Sequence, residues 1–248
     1  SNGNSSCLSL LSFLQLNGSL ENTQVMYRYI ALLVVSTFLM SCNSTRVVKT
    51  LDKGEQQITG SFGGPAIIFG GAPIPIPLSS VGYAVGLDTG LTFAGGVHTT
   101  SLLFGNAEVD LNMGINAFKT KSNKFGITVS PGLHMIYGFN GGDFSIYPQL
   151  EGIAWKEYGN KNNLIFGGLG TWVELDREKA YGEVQEHELM PYITLGHQFT
   201  GQKWNFQLEA RYIGFTYPNE NIVVDYLGPF STGTSGVYFG ISRKFGKK

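Results

Sequence analysis

The feature that most restricts this chain is an alternation of apolar and polar residues with a period of two, sustained over unusually long segments. Over 107–117, Val109, Leu111, Met113, Ile115 and Ala117 fall on one side, and Glu108, Asp110, Asn112, Gly114 and Asn116 on the other. Successive side chains of a β-strand point to opposite faces, so this pattern is a strand with one apolar and one polar face. Over 204–212, Trp204, Phe206, Leu208, Ala210 and Tyr212 alternate in the same way with Asn205, Gln207, Glu209 and Arg211. Less regular runs lie near 56–69, 79–88, 91–104, 125–138, 143–157, 164–175, 189–200 and 236–246, which brings the expected total to ten strands. No stretch of a dozen residues carries a helical stripe. Gly- and Asn-rich turns separate the runs, for example at 88–90, 121–124, 140–143, 159–163 and 200–203.

One hairpin can be tested for consistency. A two-residue turn at Gly201-Gln202 sets Phe199 opposite Trp204, His197 opposite Phe206, Leu195 opposite Leu208 and Ile193 opposite Ala210, all apolar except His197. The other face then collects Tyr192, Thr194, Gln198, Asn205, Gln207, Glu209 and Arg211.

Alternation alone does not say whether the apolar face meets a dry core or lipid, and three observations favour lipid. Most runs reach ten or more residues, against about five or six in globular strands and about 9–11 in a tilted membrane strand. The even-numbered connections are all short, whereas the long ones, near 176–188 and 216–235, are odd-numbered. Aromatic residues gather at strand ends in two groups, Phe125, Tyr158, Phe199, Trp204 and Phe245 at one rim, with Phe69, Phe104, Phe144, Trp172, Phe215 and Tyr238 at the other. Charge agrees: Lys, Arg, Asp and Glu make up 14% of the 248 residues, against about 25% in a typical soluble domain.

The first 42 residues read as an address. Met26-Tyr27-Arg28-Tyr29, an apolar run from Ile30 to Leu39 and the ending Leu39-Met40-Ser41-Cys42 have the order of a secretory signal peptide. The apolar run is shorter than the about 20 residues a spanning helix needs. The ending resembles the lipobox of bacterial lipoproteins, which implies acylation of Cys42. Residues 1–25 are then expected to be a mis-start extension, 26–41 the signal peptide, 42–54 a tether and 55–248 one barrel domain.

The final segment, Gly236 to Phe245, resembles the closing strand of bacterial outer-membrane barrels, which ends in Phe and is read by the barrel-insertion machinery. Two residues depart from that pattern, Arg243 and the Gly246-Lys247-Lys248 tail. Residues 55–248 resemble small, porin-like outer-membrane barrels. The fold class expected is all-β, a single antiparallel up-and-down transmembrane β-barrel of about ten strands, exported to the bacterial outer membrane with membrane lipid as its surroundings. The alternative is a lipid-anchored soluble barrel that binds an apolar ligand inside.

For function, the net charge of −1 excludes a dedicated nucleic-acid binder, and two cysteines, Cys7 and Cys42, cannot build a disulfide framework or a multi-cysteine zinc site. The inward face is expected to hold a polar network of Glu108, Asp110, Asn112, Glu151, Gln207, Glu209 and Arg211, with Arg211 bridging Glu209 or Glu151, or else a narrow passage for small solutes. Ten-stranded outer-membrane proteases of the omptin family are the nearest enzymatic analogy. Glu108-Val109-Asp110 and the external Glu186-His187-Glu188 are similar to their rim acids and His, but the Asp-x-His spacing is missing. His98-Thr99-Thr100-Ser101 lacks the His-x-Ser-Asn spacing of lipid A deacylases, and the facing of His98 depends on the length of the turn near Gly105. The four histidines, at 98, 134, 187 and 197, have no tight spacing. No metal, cofactor or catalytic residue is therefore expected, and the reading is a structural or surface barrel. The Gly pairs open no helix, so they are read as relief of crowding rather than as phosphate loops. Ala72 to Pro77 is expected to be a stiff loop.

Overall fold

The computed structural model describes residues 46–69, 71–176, 188–219 and 226–246. The signal-like stretch, Cys42, Glu186 and His187 lie outside them. The strands are β1 (Glu55–Phe69), β2 (Ala72–Pro75), β3 (Leu78–Asp88), β4 (Leu91–His98), β5 (Asn106–Lys119), β6 (Phe125–Gly138), β7 (Phe144–Tyr158), β8 (Asn163–Val173), β9 (Leu189–Thr200), β10 (Asn205–Pro218) and β11 (Thr232–Gly246). From β3 to β11 each pairs antiparallel with the next, β3 pairs with β1, and β11 returns to β1 with Glu55 opposite Gly246 and Gly64 opposite Val237. The result is a closed antiparallel barrel of ten strands, almost entirely β, in which, among the described residues, each strand of the wall has a neighbour on both sides.

The eleventh strand, β2, belongs to the first hairpin. Its pairing with β1, Ala66 opposite Pro75, continues the register that sets Gly63 opposite Leu78 on β3. β1, β2 and β3 are thus one long hairpin that turns at Gly71, whose φ of +83° suits glycine. The Ala72–Pro77 segment, expected as a loop, is the returning arm of this hairpin.

The turn between β9 and β10 corrects the expected register. Phe206 lies opposite Phe199, Leu208 opposite His197 and Ala210 opposite Leu195. Gly201 donates its N–H to the carbonyl of Trp204 at 3.0 Å, so the connection spans four residues instead of two. A slip of two residues preserves side-chain parity, and each face keeps its members. β4 ends at His98 rather than near 104, because Thr99–Leu103 forms a short helical turn, α1.

The outward face is apolar and exposed: Leu195 is 64% accessible, Phe206 54% and Leu208 42%. Ile127, Leu150, Ile165 and Leu169 belong to the same surface. The inward face is buried, and near the short-turn end it contains a small apolar core of Ile153, Trp155, Leu164 and Phe166. Trp172 and Tyr238, expected at a rim, also point inward. Trp172 stacks on Tyr192 with centroids 4.3 Å apart, and Tyr238 is buried beneath Arg211.

Residues 46–52, expected as part of a tether, lie inside the barrel. Val48 packs on Ile153, Trp155, Leu164 and Phe166, while Val47 and Leu51 pack on Ala84 and Ala94 of the opposite wall. The Leu51 N–H is held by Thr92 Oγ1 at 2.8 Å, and Gly54 donates to the Gly86 carbonyl at 2.8 Å. A segment with apolar residues on both sides thus serves as the missing centre of the lumen.

Candidate functional site

The interior divides into three levels, and the anticipated polar residues are shared among them. At mid-height Arg46 ion-pairs with Glu151, and its Nη2 lies 3.2 Å from Glu209 Oε2. Arg211 pairs with Glu209, which also accepts from Gln207 Nε2 at 3.0 Å. Thr194 faces Glu151, and the Arg211 guanidinium lies over the rings of Tyr192 and Tyr238, 5.6 and 5.2 Å from their centroids. Two arginines thus balance two glutamates, all nearly devoid of solvent contact. Buried charges persist only in such paired arrangements. The strand alternation placed Glu151, Gln207, Glu209 and Arg211 inward. Arg46 carries no strand signal, and sequence reasoning missed it.

Below this level, toward the short turns, a cavity of about 470 Å³ is lined by Lys49, Gln57, Thr59, Glu157, Asn205 and Gln207 among others. Lys49 Nζ bonds Glu157 Oε1 at 2.5 Å and sits 5.1 Å from the centroid of Trp155.

Above it, at the end with the longer connections, a second cavity of about 340 Å³ opens outward. Gln149 and Trp172 line it and are linked to Asn112 behind them: Trp172 Nε1 donates to Gln149 Oε1 at 2.9 Å, and Gln149 Nε2 donates to Asn112. Next to them stand Glu108, Asp110, His98 and His134. His98 ends β4, Glu108 and Asp110 lie on β5, and His134 on β6, directly opposite Asp110. All four are on the inward parity. His98 Nε2 meets Asp110 Oδ2 at 2.8 Å and His134 Nδ1 meets Asp110 Oδ1 at 2.5 Å. On the other edge of the two rings, His134 Nε2 lies 2.9 Å and His98 Nδ1 3.4 Å from Glu108 Oε1. Ser101 of α1 donates to Glu108 Oε2.

Sequence spacing placed no significance on His98 and His134, which are far apart in the chain. Neighbouring strands bring them together, and the signal that could have found them is cross-strand register rather than linear spacing. Glu188, the described member of the external acid-His-acid run, accepts the Glu174 N–H at its backbone carbonyl, 2.7 Å away. His197 is on the outer face against Tyr158, near the short-turn rim.

These features define a closed ten-stranded barrel with an apolar exterior, a charged interior and a polar mouth. No family model and no curated sequence matches the chain. Among solved structures it is similar to the translocator domain of the autotransporter NalP from Neisseria meningitidis, at 12% identity with a TM-score of 0.45, over 92% of this chain and 98% of that one. It is also similar to the NanC porin, at 10% identity and a TM-score of 0.41 over 78% of this chain and 100% of that one. A third is the KdgM porin, at 8% identity and a TM-score of 0.36 over 76% and 99%.

Proposed function

We propose that this chain is an outer-membrane β-barrel that closes its own lumen, a structural or surface element of the envelope without catalytic activity. The observation that carries the reading is the reversal of polarity. The outward face of the strands is exposed and largely apolar, with Lys156 and Arg243 near the short-turn end, while Glu151, Glu209 and Arg211 are buried inside around Arg46. A soluble barrel with this exterior would present to water an apolar surface far larger than a monomer tolerates, whereas in lipid every backbone group of a closed barrel stays paired. The long-connection end then faces the cell exterior, and residues 46–54 enter from the periplasm.

Export by the signal-like stretch 26–41 and acylation of Cys42 belong to the same proposal. Cys42 stands four residues before Arg46, a span of at most about 14 Å when extended. An anchor at Cys42 must therefore reach the membrane within that distance of Arg46.

The test is extraction and conductance. The protein is expected to leave membranes only with detergent, to migrate differently in gels before and after heating, and to remain electrically silent in planar bilayers. Full solubility without detergent of a chain beginning at residue 43 would remove the membrane reading in favour of the soluble barrel.

A further inference from the structure

We infer that the outer cavity is a binding site for one divalent metal ion of the zinc type, ligated by His98, Glu108 and His134 and held in geometry by Asp110. The access of that site to the cell exterior rests on the barrel orientation proposed above; the metal chemistry does not.

His98, Glu108 and His134 each offer a ligand atom within 4.8 Å of the others. Glu108 Oε1 is 2.9 Å from His134 Nε2 and 3.4 Å from His98 Nδ1. Tetrahedral coordination at bond lengths of about 2.0–2.2 Å requires ligand atoms about 3.3 Å apart, so small side-chain movements suffice.

The second observation is Asp110. It receives the remaining nitrogen of both rings, Nε2 of His98 at 2.8 Å and Nδ1 of His134 at 2.5 Å. A carboxylate has only acceptors, so both of these nitrogens carry protons, and the lone pair of each neutral ring sits on the opposite nitrogen. Both lone pairs therefore converge on Glu108 Oε1, itself a lone-pair donor. Three such donors face one another around a dication or, without one, with a proton on His134 Nε2 donated to Glu108 Oε1, so metal binding displaces that proton. An imidazole that ligates a metal with its other N–H on a carboxylate is the arrangement that fixes tautomer and ring orientation in metal centres. Here one aspartate serves two rings. Ser101 holds Glu108 Oε2, and Oε1 is the oxygen that faces both rings.

Charge and ligand type agree. Two neutral imidazoles and two carboxylates are balanced by one dication, and imidazole with carboxylate favours zinc, cobalt or nickel over calcium or magnesium. The cavity leaves a fourth position for water.

The experiment is titration of the full, metal-stripped chain, folded in detergent micelles, with Zn²⁺ and Co²⁺. One equivalent of Zn²⁺ is expected, and Co²⁺ is expected to show the intense visible absorption of a four-coordinate site. Asp110→Asn should weaken binding about 10–100-fold while keeping the stoichiometry. His98→Ala, His134→Gln and Glu108→Gln should each weaken it more than Asp110→Asn does. Heat-modifiable migration of every variant reports whether the barrel has folded, so failure of the barrel and failure of the site are seen separately. No binding of either ion to the folded wild-type protein overturns the inference. So does one-equivalent binding that survives both histidine substitutions.

Discussion

A Cβ added to Gly196 would stand 2.2 Å from Cζ of Phe166, one on Gly170 2.4 Å from Cζ of Tyr192, and one on Gly126 2.5 Å from Cζ2 of Trp155. In each case the ring belongs to the residue directly opposite on the neighbouring strand. A large inward ring covers a backbone that has no side chain of its own, and so gains contact area without widening the wall. The glycine-rich composition hinted at relief of crowding, but which glycine takes which ring is a matter of register and was not legible from one strand at a time. Gly196→Ala and Gly170→Ala should each destabilise the folded barrel by about 1–3 kcal/mol, since the ring has to leave its rotamer or the strands must part. Gly152→Ala is the control, because no atom lies within 4 Å of its added methyl. Urea unfolding in detergent, followed by tryptophan fluorescence, separates these outcomes; equal stability of all three variants would show that the rings do not depend on the bare backbone.

At the scale of the strand, the alternation fixed the facing of most side chains but not their partners. The β9–β10 hairpin shows why: a slip of two residues leaves both faces intact, so the apolar pattern could not distinguish a turn of two residues from one of four. His98 shows the opposite case, in which α1 absorbs the residues that would otherwise have decided its facing. Trp172 and Tyr238 were misplaced for a third reason, because aromatic rings at strand ends are as welcome inward, on another ring or under an arginine, as at a membrane rim. What the alternation does predict is dependence on depth. Leu195 sits near the middle of β9 and is 64% exposed, while Phe199 lies at the short-turn end of the same strand with the same parity. Leu195→Arg should cost about 2–4 kcal/mol in folding into lipid, and Phe199→Arg about 0–1 kcal/mol from the charge alone. A soluble barrel would show little penalty at either position, so comparing refolding free energies into vesicles discriminates the two environments.

For the whole molecule, the lumen consists of two vestibules and a septum. A ten-stranded barrel is only slightly wider than the eight-stranded kind that side chains fill, and here the wall alone does not fill it: Arg46, Val47, Val48 and Leu51 complete the packing from within. Nothing in the alternation announces this, because the segment lies outside any strand and borrows its partners from five of them. If that segment is the closure, removing it should join the vestibule of about 340 Å³ to the one of about 470 Å³. Deletion of residues 46–52 takes away one of the two arginines that balance Glu151 and Glu209, leaving Arg211 against both. The exposed septum then carries a net negative charge, with Glu108 and Asp110 above it. The deletion variant is therefore expected to conduct in planar bilayers with a small, cation-preferring current, while the full chain stays silent. Arg46→Ala, which keeps Val48 and Leu51 packed, should give only brief openings. Heat-modifiable migration of the deletion variant establishes that the barrel has formed. A folded but silent deletion variant would mean that Arg211, Tyr192 and Tyr238 close the lumen by themselves and that residues 46–52 only reinforce it.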